Sequence, residues 1–282
     1  MTFKKDLLKK YLEKKGNIDW IAENNQGAYR AYQFQFLMKI INNYLPPEDS
    51  LTLDIGLDPG NFSIKIAQKN RRVVIGDISE DQLQITREKF EKYGLSKQVD
   101  HFALLENLGK LSQFNDDNFD LVLCLSGTIS FACENRHKLI EEIIRVTKPG
   151  APFIITVLTK AHFFKEIVKE EKIELFEEAT KSGLWEFIES HFKQIDIDNN
   201  EPAYYTFAAK ELMNLIIDYK CEILGILALA PIVENQVTAL QKFRENAEAW
   251  ENLLSIDYKL ATTEGLLESG EQIILIGRKR FY

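Results

Sequence analysis

Apolar and polar residues alternate along this chain in two rhythms. Through residues 1–45 the spacing is helical: Leu7, Leu8, Tyr11 and Leu12 recur on one face, and Tyr29, Tyr32, Phe36, Met38, Ile41 and Tyr44 do so on a second helix. Pro46 and Pro47 end that stretch, because proline has no N–H with which to continue the helical ladder. Short apolar runs then alternate with amphipathic segments. Residues 51–55, 72–75, 99–105, 120–125 and 153–158 read as strands, and residues 62–68, 80–93 and 136–147 as the helices between them.

Strands alternating with helices at this spacing predict an α/β fold, a parallel sheet with crossover helices on both faces. After the fifth strand the rhythm breaks. Residues 160–200 form a long amphipathic helical insertion, 208–219 a helix, 221–230 a strand, 234–265 a further helical stretch and 272–279 a last strand. The expected organisation is an N-terminal helical cap over 1–47, a core over 48–160, a helical lid insertion over 161–206, and the remainder of the core over 207–282 with a helical insertion at 234–265.

An apolar fraction of 45% over 282 residues suffices for one elaborated domain. The net charge of -8 opposes nucleic acid as a partner, since a phosphate backbone calls for a positive footprint. Lys4, Lys5, Lys9, Lys10, Lys14 and Lys15 near the start read as a solvated helix face. No apolar run approaches the roughly 18 residues of a membrane span, the first residues lack a secretory pattern, and Cys124, Cys133 and Cys221 have neither zinc nor disulfide spacing. A cytoplasmic protein without a metal site and without a membrane partner is expected.

The segment LTLDIGLDPGNFSIKIA carries the first chemical signal. A buried strand ends in Asp54, and Gly56 and Gly60 then bracket a tight turn into a helix, where a ligand can approach the backbone closely. Asp54 suits a cationic ligand amine. About twenty residues further on, the second strand ends in Asp77-Ile78-Ser79; a carboxylate here suits ribose hydroxyls, and Asp77 or Ser79 equally suits a helix N-cap. At the end of the third strand, Glu106-Asn107 offers either an acceptor for an exocyclic amine or an ordinary solvated loop.

The run from LDIGLDPG through GDIS to FDLVLCLSGTISF and IIRVTKPG, over roughly residues 50–160, resembles class I S-adenosylmethionine-dependent methyltransferases. So does the closing pair ILGILALA and QIILIGRK. The resemblance implies a Rossmann-like seven-stranded sheet with an antiparallel last strand and S-adenosyl-L-methionine as cofactor. It implies Asp54, Gly56 and Gly60 around the methionine part, Asp77 with Ile78 at the ribose, Glu106 with Asn107 near the adenine, and backbone around Leu125 and Ser126 for the amino group; Asp58 in the same turn is a further cofactor-binding candidate. The chain departs from the family pattern at Asp58, where a glycine is usual. Aspartate visits positive φ more readily than most residues, and an acid near a sulfonium is electrostatically favourable. Gly127-Thr128 stands in place of the Asn-Pro-Pro-Tyr type signature of many base and amide N-methyltransferases, which points to small molecules.

Such a cofactor brings its own activated methyl group, so the protein need only align a nucleophile and exclude water. His162, after the fifth strand, is the candidate general base, and it also fits a surface position at a helix start. Tyr29, Tyr32, Phe131, Phe163, Trp185 and Tyr205, with Phe164 and Tyr204, either line an apolar acceptor pocket or pack a cap. The expected function is transfer of a methyl group to O or N of a small, partly hydrophobic metabolite or natural product. The alternative is an inactive methyltransferase-fold scaffold. A nicotinamide-dependent oxidoreductase is opposed by the missing third glycine of G-x-G-x-x-G and by the antiparallel final strand. Monomer and homodimer both stay open.

Overall fold

A computed structural model describes residues 3–15, 27–169, 171, 173, 174, 177, 181, 202–233 and 236–281. Two helices, α1 (Lys5–Lys15) and α2 (Ala28–Asn43), precede the first strand. The alternating part runs β1 (Leu51–Gly56), α3 (Asn61–Ala67), β2 (Arg72–Asp77), α4 (Glu80–Lys92), β3 (Val99–Leu104), β4 (Leu121–Leu125), the short α5 (Thr128–Phe131), α6 (Arg136–Val146) and β5 (Pro152–Leu158). Then come α7 (Lys160–Lys169), α8 (Ala209–Asp218), β6 (Glu222–Ala228), α9 (Val237–Arg244), α10 (Ala247–Leu260) and β7 (Gln272–Arg278).

The seven strands form one sheet in the order β3-β2-β1-β4-β5-β7-β6. The first five are parallel, and β7 lies antiparallel between β5 and β6. This is the Rossmann-like, seven-stranded arrangement with an antiparallel last strand that the sequence predicts. Period-two alternation divides the apolar side chains between the two faces. Leu51, Leu53, Ile55, Val122, Cys124, Phe153 and Ile155 join Leu139, Ile143, Leu212 and Ile216 of α6 and α8. On the opposite face Val73, Ile75, Leu121, Leu123, Ile154 and Ile274 meet α2, α3, α4, α9 and α10.

The observed strands match the predicted runs to within one or two residues. The stretch predicted as helical over 234–265 holds two helices, broken where Asn246 caps α10 by accepting from the Ala249 N–H at 3.0 Å. Of the insertion predicted over 160–200, α7 is described; Trp185 lies outside the described residues.

Candidate active site

The chain leaves β1 for β2 on one side, and β4 lies on the other, so the loops after β1 and β4 diverge and open a crevice at the carboxyl ends of the strands. Gly56 and Leu125 are register partners at its floor. A Cβ on Gly56 would stand 3.3 Å from Thr128 Oγ1, so any side chain there would crowd the first turn of α5.

Asp54 is buried on β1 and accepts the Ser63 hydroxyl at 2.5 Å from α3. Burial pushes its carboxyl up to about 7; the Ser63 bond acts the other way, and the charge on Asp58 adds to the rise. Asp58 is half-buried and braces the turn into α3, whose N-cap is Gly60: Oδ1 accepts the Asn61 N–H at 2.6 Å, and Oδ2 accepts the Asn61 amide at 3.0 Å. Burial raises its carboxyl as well, opposed first by the Asn61 bonds and then by the charge of Lys89. Gly60 sits at φ +73°, and a Cβ there would meet Thr86 Cγ2 of α4 at 2.3 Å, so the turn needs glycine on both counts.

Asp77 ends β2, buried, with Oδ1 accepting the Ser79 N–H at 2.7 Å. Desolvation again raises it to about 7, against the bonds from Ser79 and Ile78; Asp58 and Asp54 contribute repulsion. Through the bond from Ser79, Asp77 braces the entry to α4. Three carboxylates therefore feel one another across the ends of two strands, an environment that favours a cation.

The turn after β3 is arranged differently. Glu106 points outward, its side chain 71% exposed and paired with Lys110 at 2.6 Å. Asn107 Oδ1 is occupied by the Gly109 N–H at 2.8 Å. What the turn offers inward is backbone, and Lys5 of α1 reaches it: Nζ donates to the carbonyls of Leu105 at 2.8 Å and Glu106 at 3.0 Å. The Lys5 charge also senses Asp77, while desolvation lowers its own proton affinity.

After β4 the backbone turns through two consecutive left-handed residues, Ser126 (φ 59°) and Gly127 (φ 71°). A serine held in this region costs energy and marks a constrained loop. The loop is held by Gly127 N–H donating to Thr156 Oγ1 at 3.0 Å and by Thr128 Oγ1 donating to the Leu125 carbonyl at 2.6 Å.

Beyond α5 lies an aromatic group. Tyr204 stands 5.7 Å from Phe131 and 5.9 Å from His162, centroid to centroid, and the His162 N–H is held by Thr159 Oγ1 at 3.0 Å. The segment carrying Tyr204 is tied to the sheet by Tyr205 N–H to the Ser130 carbonyl and Phe207 N–H to the Leu158 carbonyl, both at 2.9 Å. Tyr205 itself packs edge-on to Phe207, with the Arg136 guanidinium 3.9 Å over its ring and its hydroxyl on Glu211. Phe163 is buried against Phe164. Tyr29 and Tyr32 lie in the core of the opposite face, where Tyr32 meets Trp250 edge-on at 5.1 Å. Among the described residues no cluster of His, Cys, Asp or Glu has the arrangement of a metal site.

Sequence reasoning missed Ser63, Asn61, Lys89 and Lys5. Lys89 follows Leu83 and Thr86 on the buried side of α4, a spacing that marks it as inward-facing. Nothing in the sequence marks Lys5 among its neighbouring lysines.

Sheet order, the antiparallel β7 and the crevice beside the glycine turn give the chain the Rossmann-like fold of class I S-adenosylmethionine-dependent methyltransferases. Residues 52–150 match the family described as a methyltransferase domain. The chain is 32% identical over 117 residues to the ubiquinone/menaquinone biosynthesis C-methyltransferase UbiE of Hydrogenovibrio crunogenus, covering 39% of this chain and 43% of that protein. It is 32% identical over 123 residues to the demethylmenaquinone methyltransferase of Bacteroides fragilis, covering 43% and 48%. The chain thus spans less than half the length of these curated relatives. Among solved structures, the [4+2]-cyclase SpnF superposes with a TM-score of 0.60 at 16% identity over 100% of this chain and 97% of that one. A S-adenosylmethionine-dependent methyltransferase from Methanosarcina mazei gives 0.55 at 21% identity over 86% and 98%. At these identities the structures speak for the fold alone. No helix among the described residues is long and apolar enough to cross a membrane.

Proposed function

We propose that this chain binds S-adenosyl-L-methionine at the carboxyl ends of β1, β2 and β4 and methylates a small, partly hydrophobic acceptor. The observation that carries the reading is the convergence of Asp54, Asp58 and Asp77 on one crevice beside a glycine turn, a donor set that fits a ligand with an ammonium and a sulfonium. Asp54 takes the ligand's ammonium, with carbonyl groups at Leu125 and Ser126. Gly56 and Gly60 let the backbone come close. Asp77 holds the ribose hydroxyls, and Ile78 with the turn at Glu106 and Asn107 borders the base. When bound, the cofactor supplies a methyl group already activated on sulfur.

The acceptor side is the group formed by Phe131, His162 and Tyr204, with Phe163 and Tyr205 behind it. His162 would take the proton that the acceptor's nucleophile loses, while the bound cofactor would supply the methyl group. The name of one curated relative, a C-methyltransferase, adds carbon to oxygen and nitrogen as the atom methylated. A hydroxylated aromatic acceptor unites these, because loss of its O–H proton activates both its oxygen and its ring carbons. The three buried thiols suit a reducing cytoplasm.

Calorimetric titration with S-adenosylmethionine and S-adenosylhomocysteine tests the cofactor. Micromolar binding, followed by methyl transfer to hydroxylated aromatics in a radiolabel screen, is the expected outcome. A folded protein that binds neither ligand is a scaffold, and the reading fails.

A further inference from the structure

Lys89 is 7% exposed, deep under the glycine turn. An ammonium in such a place is costly unless it is hydrogen-bonded and faces opposite charge. Its Nζ donates to Asn61 Oδ1 at 3.2 Å and to the Pro59 carbonyl at 3.3 Å. Asn61 passes the contact on: the same amide donates from Nδ2 to Asp58 Oδ2 at 3.0 Å, and the Asn61 backbone N–H donates to Asp58 Oδ1 at 2.6 Å. The Gly60 N–H closes onto the Asp58 carbonyl at 2.7 Å. Residues 58–61 are thus gripped from α4 through one lysine and from their own side chains through one aspartate.

Charge follows the same route. Asp58 opposes ionisation of Asp54 and Asp77, and Lys89 favours ionisation of Asp58. Cation and anion are matched across Asn61, so that Asp58 holds its place in the turn without a bare negative charge beside two other acids. We propose that Lys89 is a positioning residue for the cofactor: acting through Asn61, it locks Asp58 and the 58–61 turn in the shape that receives the ligand. Asp58 and Lys89 then form one unit, and neither is useful without the other. The inference rests on the cofactor reading above, and it concerns residues of this chain that touch the turn from behind.

The test is calorimetry with S-adenosylmethionine on wild type, Lys89→Met, Asp58→Asn and the double variant, with thermal melts to show that each is folded. Either single change raises the Kd about tenfold, and the double variant lies within about threefold of the singles instead of at their product, the coupling of residues that act together. A merely structural role lowers the melting temperature without this coupling in Kd. A Kd within about twofold of wild type for Lys89→Met, or a double variant at the product of the singles, overturns the proposal. Should Lys89→Met fail to fold, Asp58→Asn and Lys89→Arg supply the comparison, with Lys89→Arg nearer to wild type. Should wild type bind no cofactor, the functional reading falls, and hydrogen exchange decides the lock by itself. The amides of Asn61 and Phe62 then lose about tenfold in protection in Asp58→Asn while that of Ile274 in β7 keeps its own; unchanged protection overturns the lock.

Discussion

Ser63 donates its hydroxyl to Asp54 across the floor of the crevice, joining the first turn of α3 to the end of β1. The bond favours the carboxylate, yet burial outweighs it, and Asp54 and Asp77 both stand at about 7 against an ordinary value of 3.8. A cationic ligand needs them ionised. Affinity for S-adenosylmethionine therefore rises as pH increases through 7 and levels off above it, a trend that calorimetry across that range reads directly. Asp54→Asn flattens part of the slope; a flat wild-type profile contradicts the assignment. In the ligand-free protein the linkage has the opposite sense. These acids bind protons more tightly when folded, so their contribution to stability is complete below 3.8 and is lost as pH rises through 7.

Asp77 and Glu106 test the proposed ribose and base ends of the crevice against each other. Asp77→Ala removes a buried acceptor and weakens cofactor binding by about 10- to 100-fold, the range of a hydrogen bond to a charged group. Glu106 is solvent-facing and paired with Lys110, and an exposed pair of this kind is screened. Glu106→Ala accordingly leaves the Kd within about twofold, because the base meets the backbone of the turn. Equal losses for the two variants place the Glu106 carboxylate in the site.

Much of this was legible in the sequence, for identifiable reasons. The central strands β1, β4 and β5 are buried on both faces, so they appear as largely apolar runs, as in LTLDIG and PFIITVL. The turn at Gly56 and Gly60 showed because two glycines bracket it. Lys89 stayed hidden despite its inward-facing spacing, because a lysine reads as surface and the groups that make its burial tolerable, Asn61 and Pro59, come from another part of the chain. Tyr204 and Tyr205 are neighbours in sequence, and no pattern of hydropathy tells which turns toward His162; the pairing of Phe207 with Thr159 decides it. The left-handed Ser126 leaves no compositional mark at all.

Gly60 offers a test of the turn's packing. Alanine there meets a left-handed φ and the Thr86 methyl group together. Strain of about 1–2 kcal/mol from the backbone and about 1–3 from overpacking is expected, read as a lowered denaturation midpoint. Thr86→Ser removes the clashing Cγ2, so Gly60→Ala/Thr86→Ser recovers the second part and keeps the first. A double variant no more stable than Gly60→Ala removes Thr86 from the account.

His162 is the residue whose role a change of acceptor can decide. It contacts Tyr204 and follows Thr159 at the end of β5, so its removal disturbs packing whatever else it does. A general base matters only where the nucleophile must lose a proton before or during attack. With a hydroxylated aromatic acceptor, His162→Gln therefore lowers kcat by about 10²- to 10⁴-fold. An amine that is already free at the assay pH needs no such help, and its turnover falls much less. Cofactor affinity, measured in parallel by calorimetry, stays at the wild-type value because the imidazole lies on the acceptor side. If both acceptors lose activity equally, His162 packs against Tyr204 and takes no proton, and the base must be sought elsewhere around Phe131.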